Sequence, residues 1–330
     1  MFPTTISSST EKEEDQPEPI KRKTFFEKHK LQEIELSHKP IFDNYFQSCP
    51  TLLSDYTFAN TYIWKDSIHL KWKIIQDNLC VFANGDKGLS MLFPPLGFHN
   101  IGTIDECMNI CQQYNNEHNS LTVPRVEYIS QDFLSYFRTD RFELSPMSGD
   151  YIYSTEKMIS LEGSDLSSKR QSKNRFIRRY SHHVENYDKL NHLGPCIELL
   201  CQWQEQSSPS SSITSIKREK ETSATIKVLE NNEELELRGM VLFAEGKLIG
   251  FTFGELLGRE TCNILVEKTD REYVGSAQFI FSEFCKNYWA DTKECNVGDD
   301  WEVESLKWTK MSYRPVKRLP KWTAKLKEKV

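Results

Sequence analysis

Residues 237–289 read LRGMVLFAEGKLIGFTFGELLGRETCNILVEKTDREYVGSAQFIFSEFCKNYW. Two β-rich runs, Leu237–Ala244 and Leu248–Leu256, flank the turn pair Glu245-Gly246 and read as a hairpin. Thr261–Glu267 predicts a third strand. Ala277, Ile280, Phe281, Phe284, Cys285, Tyr288 and Trp289 then recur at helical steps, which predicts an amphipathic helix over 277–289. A strand near Cys295–Val297, a helix near Glu304–Met311 and an extended piece near Pro315–Leu319 follow.

Outward from this block, the first half repeats the order more faintly. Lys71–Ile75, Leu79–Ala83 and Leu89–Phe93 are short strands separated by turn residues. A helix over 103–116 and a strand over Val123–Ile129 come next. Between the halves, Tyr151–Leu161 reads as strand, Ser167–Tyr180 as a basic helix and Ile197–Gln204 as a short helix. Three antiparallel strands, a helix and a parallel strand form the core order of the GNAT acyltransferase fold. The expected fold class is therefore α/β (α+β), with two tandem GNAT-like units, each a mixed, mainly antiparallel sheet flanked by helices. They span residues 25–149 and 150–330. Residues 1–24 read as a disordered acidic tail and the Ser-rich stretch 206–223 as a mobile loop.

Composition narrows the function classes. The chain has 330 residues, 38% of them hydrophobic, enough for packed cores. Its mean hydropathy is −0.59, and apolar runs such as Met240–Ala244 are far shorter than the roughly 20 residues of a spanning helix. No basic-then-apolar leader is visible at the start. Nine scattered cysteines, an odd number, predict free thiols in a reducing cytoplasm. There is no G-x-G-x-x-G, no P-loop, no C-x-x-C and no G-x-S-x-G. No metal site is expected. His182, His183 and His192 read as exposed.

The net charge of −6 conceals its distribution. Lys169–Arg179 holds six cations and no acid. Lys307–Lys329 holds nine cations against Glu328 alone, interleaved with Trp308, Tyr313 and Trp322, of which Trp308 and Tyr313 read as half-buried. The two segments suit phosphates of RNA or of lipid headgroups. Glu267 and Asp300 fall after adjacent strands, where open sheets bind ligands. There they could hold an ammonium or act as a base. The stretch Glu272–Ala277 keeps the Gly275 and small residue of a coenzyme A pyrophosphate loop, but places Glu272 where a cation or amide belongs.

Several separated motifs resemble one family. They are Trp64-Lys65-Asp66, Phe93–Gly97, Tyr153–Lys157, Lys169-Arg170 with Asn174-Arg175-Phe176, Phe251–Glu255, Glu267-Lys268 with Gly275 and Gln278, and Lys310–Lys317. Over residues 30–325 the chain resembles the C-terminal, catalytic-type domain of phosphatidylglycerol lysyltransferases, found also as free-standing soluble proteins. The resemblance implies transfer of an amino acid from aminoacyl-tRNA to a lipid or another small hydroxyl or amine acceptor, without a cofactor. It also implies a cytoplasmic protein in peripheral contact with an anionic membrane. Lys169, Arg170, Asn174 and Arg175 would hold phosphate. Glu267 and Asp300 would face the aminoacyl ammonium. Lys310 and Tyr313 would orient the donor or polarise its carbonyl. Lys268, Gly275, Ser312 and Lys317 would complete the substrate site. The family pattern is altered at Ser167, Gln171, Ser172 and Phe281. Two other classes therefore stand beside this reading: an acetyl-CoA or other acyl-CoA-dependent N-acyltransferase, and a non-catalytic binder of RNA or anionic lipid.

Overall fold

The computed structural model describes residues 24–327 except 86–87, 98–100 and 206–211. The first half contains α1 (Phe25–His29), β1 (Gln32–Glu33), α2 (Lys39–Gln47), α3 (Phe58–Trp64), β2 (Leu70–Ile75), β3 (Asn78–Gly85), β4 (Gly88–Met91), β5 (Leu96–Gly97), α4 (Ile101–Glu117), β6 (Arg125–Ser130) and β7 (Phe142–Ser154). The second contains α5 (Thr155–Ser160), α6 (Ser167–Arg179), β8 (His182–Asn186), α7 (Lys189–Glu205), α8 (Ser212–Glu230), β9 (Arg238–Ala244), β10 (Lys247–Leu256), β11 (Thr261–Thr269), α9 (Ser276–Tyr288), β12 (Glu294–Asn296), α10 (Glu304–Met311) and β13 (Lys317–Leu326).

Among the described residues one sheet runs β1-β2-β3-β4-β6-β13-β7-β12-β11-β10-β9-β8, with β5 paired to β3. β2-β3-β4, α4 and β6 repeat the order of β9-β10-β11, α9 and β12. In each unit the last strand lies parallel to the third, β6 to β4 and β12 to β11. The two GNAT-like units thus share one continuous sheet. β13 returns from the C-terminus and wedges between β6 and β7, so residues 317–326 complete the junction of the two halves.

Two apolar cores line the second unit. Val241, Phe251 and Phe253 face α7 and α8 through Leu199, Ala224 and Val228. Met240, Leu242, Ile249, Cys262 and Ile264 face the opposite way, onto Phe279, Ile280, Phe284 and Cys285 of α9 and Phe176 of α6. The helical stripe read from 277–289 is this buried face. The cysteines are free thiols.

Several expectations are corrected. The strand read over Tyr151–Leu161 ends at Ser154, whose hydroxyl accepts from Lys157 N at 3.3 Å and starts α5; a serine cap ends the extended run. Of the loop expected over 206–223, residues 206–211 lie outside the described residues, and from Ser212 the chain is helical. Its burial comes late in the helix, at Ala224, Val228 and Leu229, which the Ser/Thr-rich composition upstream obscured. The acidic tail expected over 1–24 lies, but for Thr24, outside the described residues. Thr24 itself caps α1. The polar run His182–Asn186 is an edge strand, a place that tolerates polar side chains. His192 is buried, and its Nδ1 accepts from Asp188 N at 2.9 Å. Tyr313 is buried, whereas Trp308 stands 70% exposed.

Candidate active site

β11 and β12 pair over Thr261–Asn263 and Glu294–Asn296 and then part. β11 continues to Thr269. The chain after β12 turns toward β7 instead, with Val297 N donating to Tyr151 O and Tyr151 N to Gly298 O, each at 3.1 Å. The two strands therefore diverge beyond Asn263 and Asn296, and the notch between them on the side covered by α9 is the cleft of the candidate site.

A β-bulge decides what faces this cleft. Phe253 pairs with Val266 and Gly254 with Ile264, so Leu265 is an extra residue. Alternation would place 266 and 268 on the same face as Cys262 and Ile264; the extra residue shifts that face to Glu267. Gly254 allows the bulge, because a Cβ there would lie 2.4 Å from Asn263 O. Lys268 accordingly points to the other face, where it pairs with Glu221 and sits 4.1 Å over the Trp203 ring.

Glu267 Oε2 is buried without a hydrogen-bond partner, and so is Oγ1 of Thr252. The two residues are directly opposite in register, so their side chains leave the same face. Burial pushes the Glu267 carboxyl up to about 8, against the pull of Lys268. Tyr313 lies close by. Burial, then the Glu267 carboxyl, raises its hydroxyl, while a hydrogen bond with Gln278 opposes the rise. Its ring stacks on Tyr153 at 5.8 Å and meets Phe281 edge-on at 5.6 Å. Lys169 Nζ lies 4.4 Å from the Tyr313 ring centre, and burial holds its pKa down. Glu267, Tyr313 and Lys169 thus converge on one site, together with Gln278 and Phe281. Thr252 belongs there too. It stood within a recognised motif, but only the register shows that it faces Glu267.

Asp300 and Lys310 belong to a second cluster. Asp300 is buried and accepts from Ser148 Oγ and Tyr151 OH, each at 2.6 Å, and from Glu302 N at 3.0 Å. Burial would raise its pKa, but these bonds and Arg318 outweigh it and hold the carboxyl down. Lys310 Nζ donates to Val297 O at 2.5 Å and to Asp299 O. Burial pulls it down to about 8, against the nearby Asp299 and Asp150. Its link to the cleft is Tyr153 OH, which donates to Lys310 O at 2.9 Å. Lys321 anchors this cluster. Its buried Nζ meets Asp55, Asp150 and Asp299 at 2.5, 2.7 and 3.0 Å. In sequence it looks like one more cation of a basic tail.

The basic helix divides its cations. Arg170 donates to Leu161 O at 2.5 Å and Gly163 O at 3.0 Å, closing the turn before α6. Lys173 reaches Ser282 Oγ at 2.7 Å and Glu283 at 3.0 Å on α9. Gly275 begins α9 at φ +95°, and a Cβ there would lie 2.1 Å from Ser172 O; it packs the two helices together. Asn174, Arg175, Arg178 and Arg179 are exposed. Ser312 Oγ donates to Thr309 O at 2.6 Å at the end of α10, and Lys317 pairs with Glu294 at 2.7 Å. Among the described residues no group of three His, Cys, Asp or Glu side chains is placed so that it could hold a metal ion.

This fold is of the tandem GNAT-like class. The family model for the C-terminal domain of phosphatidylglycerol lysyltransferase matches residues 47–325, and the chain belongs to that family. A Bacteroides thetaiotaomicron protein of unknown function is similar in structure, with a TM-score of 0.77, 23% identity, and 90% of this chain and 99% of that one covered. The L-PGS of Bacillus licheniformis superposes with a TM-score of 0.58 at 13% identity, over 88% and 92% of the two chains. An uncharacterised protein of Mycoplasmoides gallisepticum is 27% identical over 171 residues, covering 51% of this chain and 53% of that protein. The chain thus matches about half the length of this curated relative. Among the described residues no helix is long and apolar enough to cross a membrane.

Proposed function

We propose that the chain transfers an amino acid from aminoacyl-tRNA to a lipid or other small hydroxyl or amine acceptor, at the cytoplasmic side of a membrane. The observation that carries this reading is the pair of facing, unpartnered groups, Thr252 Oγ1 and Glu267 Oε2, in the cleft beside Tyr313. Membership of the family supports the donor and the reaction class.

An aminoacyl ester is already activated, so the protein need only align the acceptor and stabilise the oxyanion. No metal, redox group or coenzyme A is called for. A carboxyl raised to about 8 is poised to act as a general base near neutral pH. The acceptor oxygen or nitrogen bonds to the ester carbon, and the bond from that carbon to the ribose oxygen breaks. The acceptor proton passes through Glu267 to the departing ribose hydroxyl. Tyr313, its pKa raised, keeps its proton and can donate a hydrogen bond to the oxyanion. Arg175 and Arg178, exposed on α6, would hold donor phosphates. Asp300, Lys310 and Lys321 would position the loop beneath the cleft. The close approach of α6 to Gly275, at the start of α9, supports a donor other than coenzyme A.

Charged tRNA incubated with the protein and a membrane lipid extract should be discharged, and an aminoacyl mass increment should appear in the lipid fraction. A complete set of charged tRNAs left intact would overturn the reading.

A further inference from the structure

Trp308, expected half-buried, stands 70% exposed on α10. Met311, one turn further along the same helix, is 44% exposed, and Val316, just beyond the helix, is 53% exposed. Large apolar side chains are exposed elsewhere too, Leu121 and Leu190 among them, but here three fall within residues 308–316. Cations surround them. Lys307 and Arg314 are exposed on the same segment, and Arg318 is partly exposed against the Tyr151 ring. Lys169 of α6 lies 5.9 Å from the Trp308 ring and 4.4 Å from that of Tyr313. From Lys307 to Lys327 there is no acid. The facing carboxylates are few: Glu304 reaches Lys307 at 3.7 Å, Glu294 pairs with Lys317, Asp300 lies 4.0 Å from Arg318, and Glu302 is exposed ahead of the helix.

We propose that α10 and the turn after it, Trp308, Met311 and Val316 ringed by Lys307, Arg314 and Arg318, form a docking surface for an anionic phospholipid bilayer. An indole suits the headgroup level, aliphatic tips enter the acyl boundary, and cations pair with headgroup phosphate. The charge complementarity singles out an anionic bilayer over a neutral one. The surface adjoins the cleft through Lys169, which touches both Trp308 and Tyr313. Docking there would bring the cleft to the membrane, and to that extent it rests on the lipid-acceptor reading.

Flotation of the full chain with vesicles tests it. The wild type should float with vesicles of phosphatidylcholine mixed with phosphatidylglycerol, less with phosphatidylcholine alone, and less again as salt rises. Trp308→Ala should weaken binding about tenfold, and Arg314→Glu at least fivefold. Both side chains are exposed, so the unfolding midpoint should stay unchanged. Acyl-chain-brominated lipid should quench wild-type tryptophan fluorescence and leave Trp308→Phe unquenched. No flotation of the wild type, equal flotation with both vesicle types, or wild-type binding by Trp308→Ala overturns the proposal. So does a Trp308→Ala defect confined to tRNA binding, which would make this an RNA surface. Vesicle binding without discharge of charged tRNA would sink the transfer reading and leave the docking surface standing. Discharge without vesicle binding would do the reverse.

Discussion

The Lys321 cluster and the Glu267 cluster are both built into the sheet, yet they treat buried charge in opposite ways. Lys321 gathers Asp55, Asp150 and Asp299, and Asn296 Nδ2 and Ser54 N add hydrogen bonds to Asp150. Burial opposes the lysine charge, but the three carboxylates raise its pKa well above the usual range. Asp55 Oδ2 and Asp150 Oδ1, which accept no other hydrogen bond, are answered by the ion pairs with Lys321, and the set locks β13 and β7 to the loop before α3. Glu267 and Thr252 have no such answer. A buried polar atom without a partner costs about 1–3 kcal/mol. The balanced cluster holds the halves together. The unbalanced one is where a ligand would complete the bonding.

The sharpest way to break this contrast is Lys321→Met. Three carboxylates would be left around an apolar side chain, and the cost should be about 3–5 kcal/mol, read as a fall in the denaturant midpoint. A loss below about 1 kcal/mol would mean that water reaches the cluster. Glu267→Gln should act the other way round. Stability should change by no more than about 1 kcal/mol, while transfer should fall about 10²–10⁴-fold if Glu267 moves the proton. Equal losses of stability and activity would erase the distinction.

The pH dependence sharpens it further. Burial raises Glu267 from 4.5 to about 8, so the folded chain binds this proton more tightly than the unfolded one. Its contribution is fully present below about 4.5 and is lost as pH rises through about 8. Across that window the stability of the wild type should decline relative to Glu267→Gln, and parallel curves would refute the shift. Glu255, raised to about 7 by burial and hydrogen-bonded to Thr57 at 2.8 Å, declines over part of the same range in both proteins and cancels in the comparison. The smallest expected effect is at the surface. Arg175→Ala with Arg178→Ala should lower the salt slope of tRNA binding by about 2 and leave folding intact, whereas Lys173→Ala, which loosens α6 from α9, should lower the unfolding midpoint instead.

Much of the fold was legible. The strands of residues 237–267 and the helix over 277–289 follow from alternation and from a stripe at helical spacing, signals carried by side chains a few positions apart. The segment after Ser154 was not, because one capping hydroxyl turned a strand-like sequence into α5. Ser212–Glu230 was not, because among its described side chains the buried apolar ones, Ala224, Val228 and Leu229, lie in the last turns. Of the residues singled out in the sequence in separate roles, Glu267, Tyr313 and Lys169 lie near one another in the fold. Lys268 does not, and Asp300 and Lys310 belong to the supporting cluster.

The sequence by itself determined the tandem order, the family and the two concentrations of cations, since each is written in local pattern or local composition. Tertiary structure decided which charges are used up and which are free. Nothing local distinguishes Lys321 from Arg314, yet one is sealed among three carboxylates and the other faces solvent. Nor does anything local announce that Leu265 bulges. That single extra residue is set by the pairing of β11 with β10, and it sends Glu267, rather than Lys268, into the cleft.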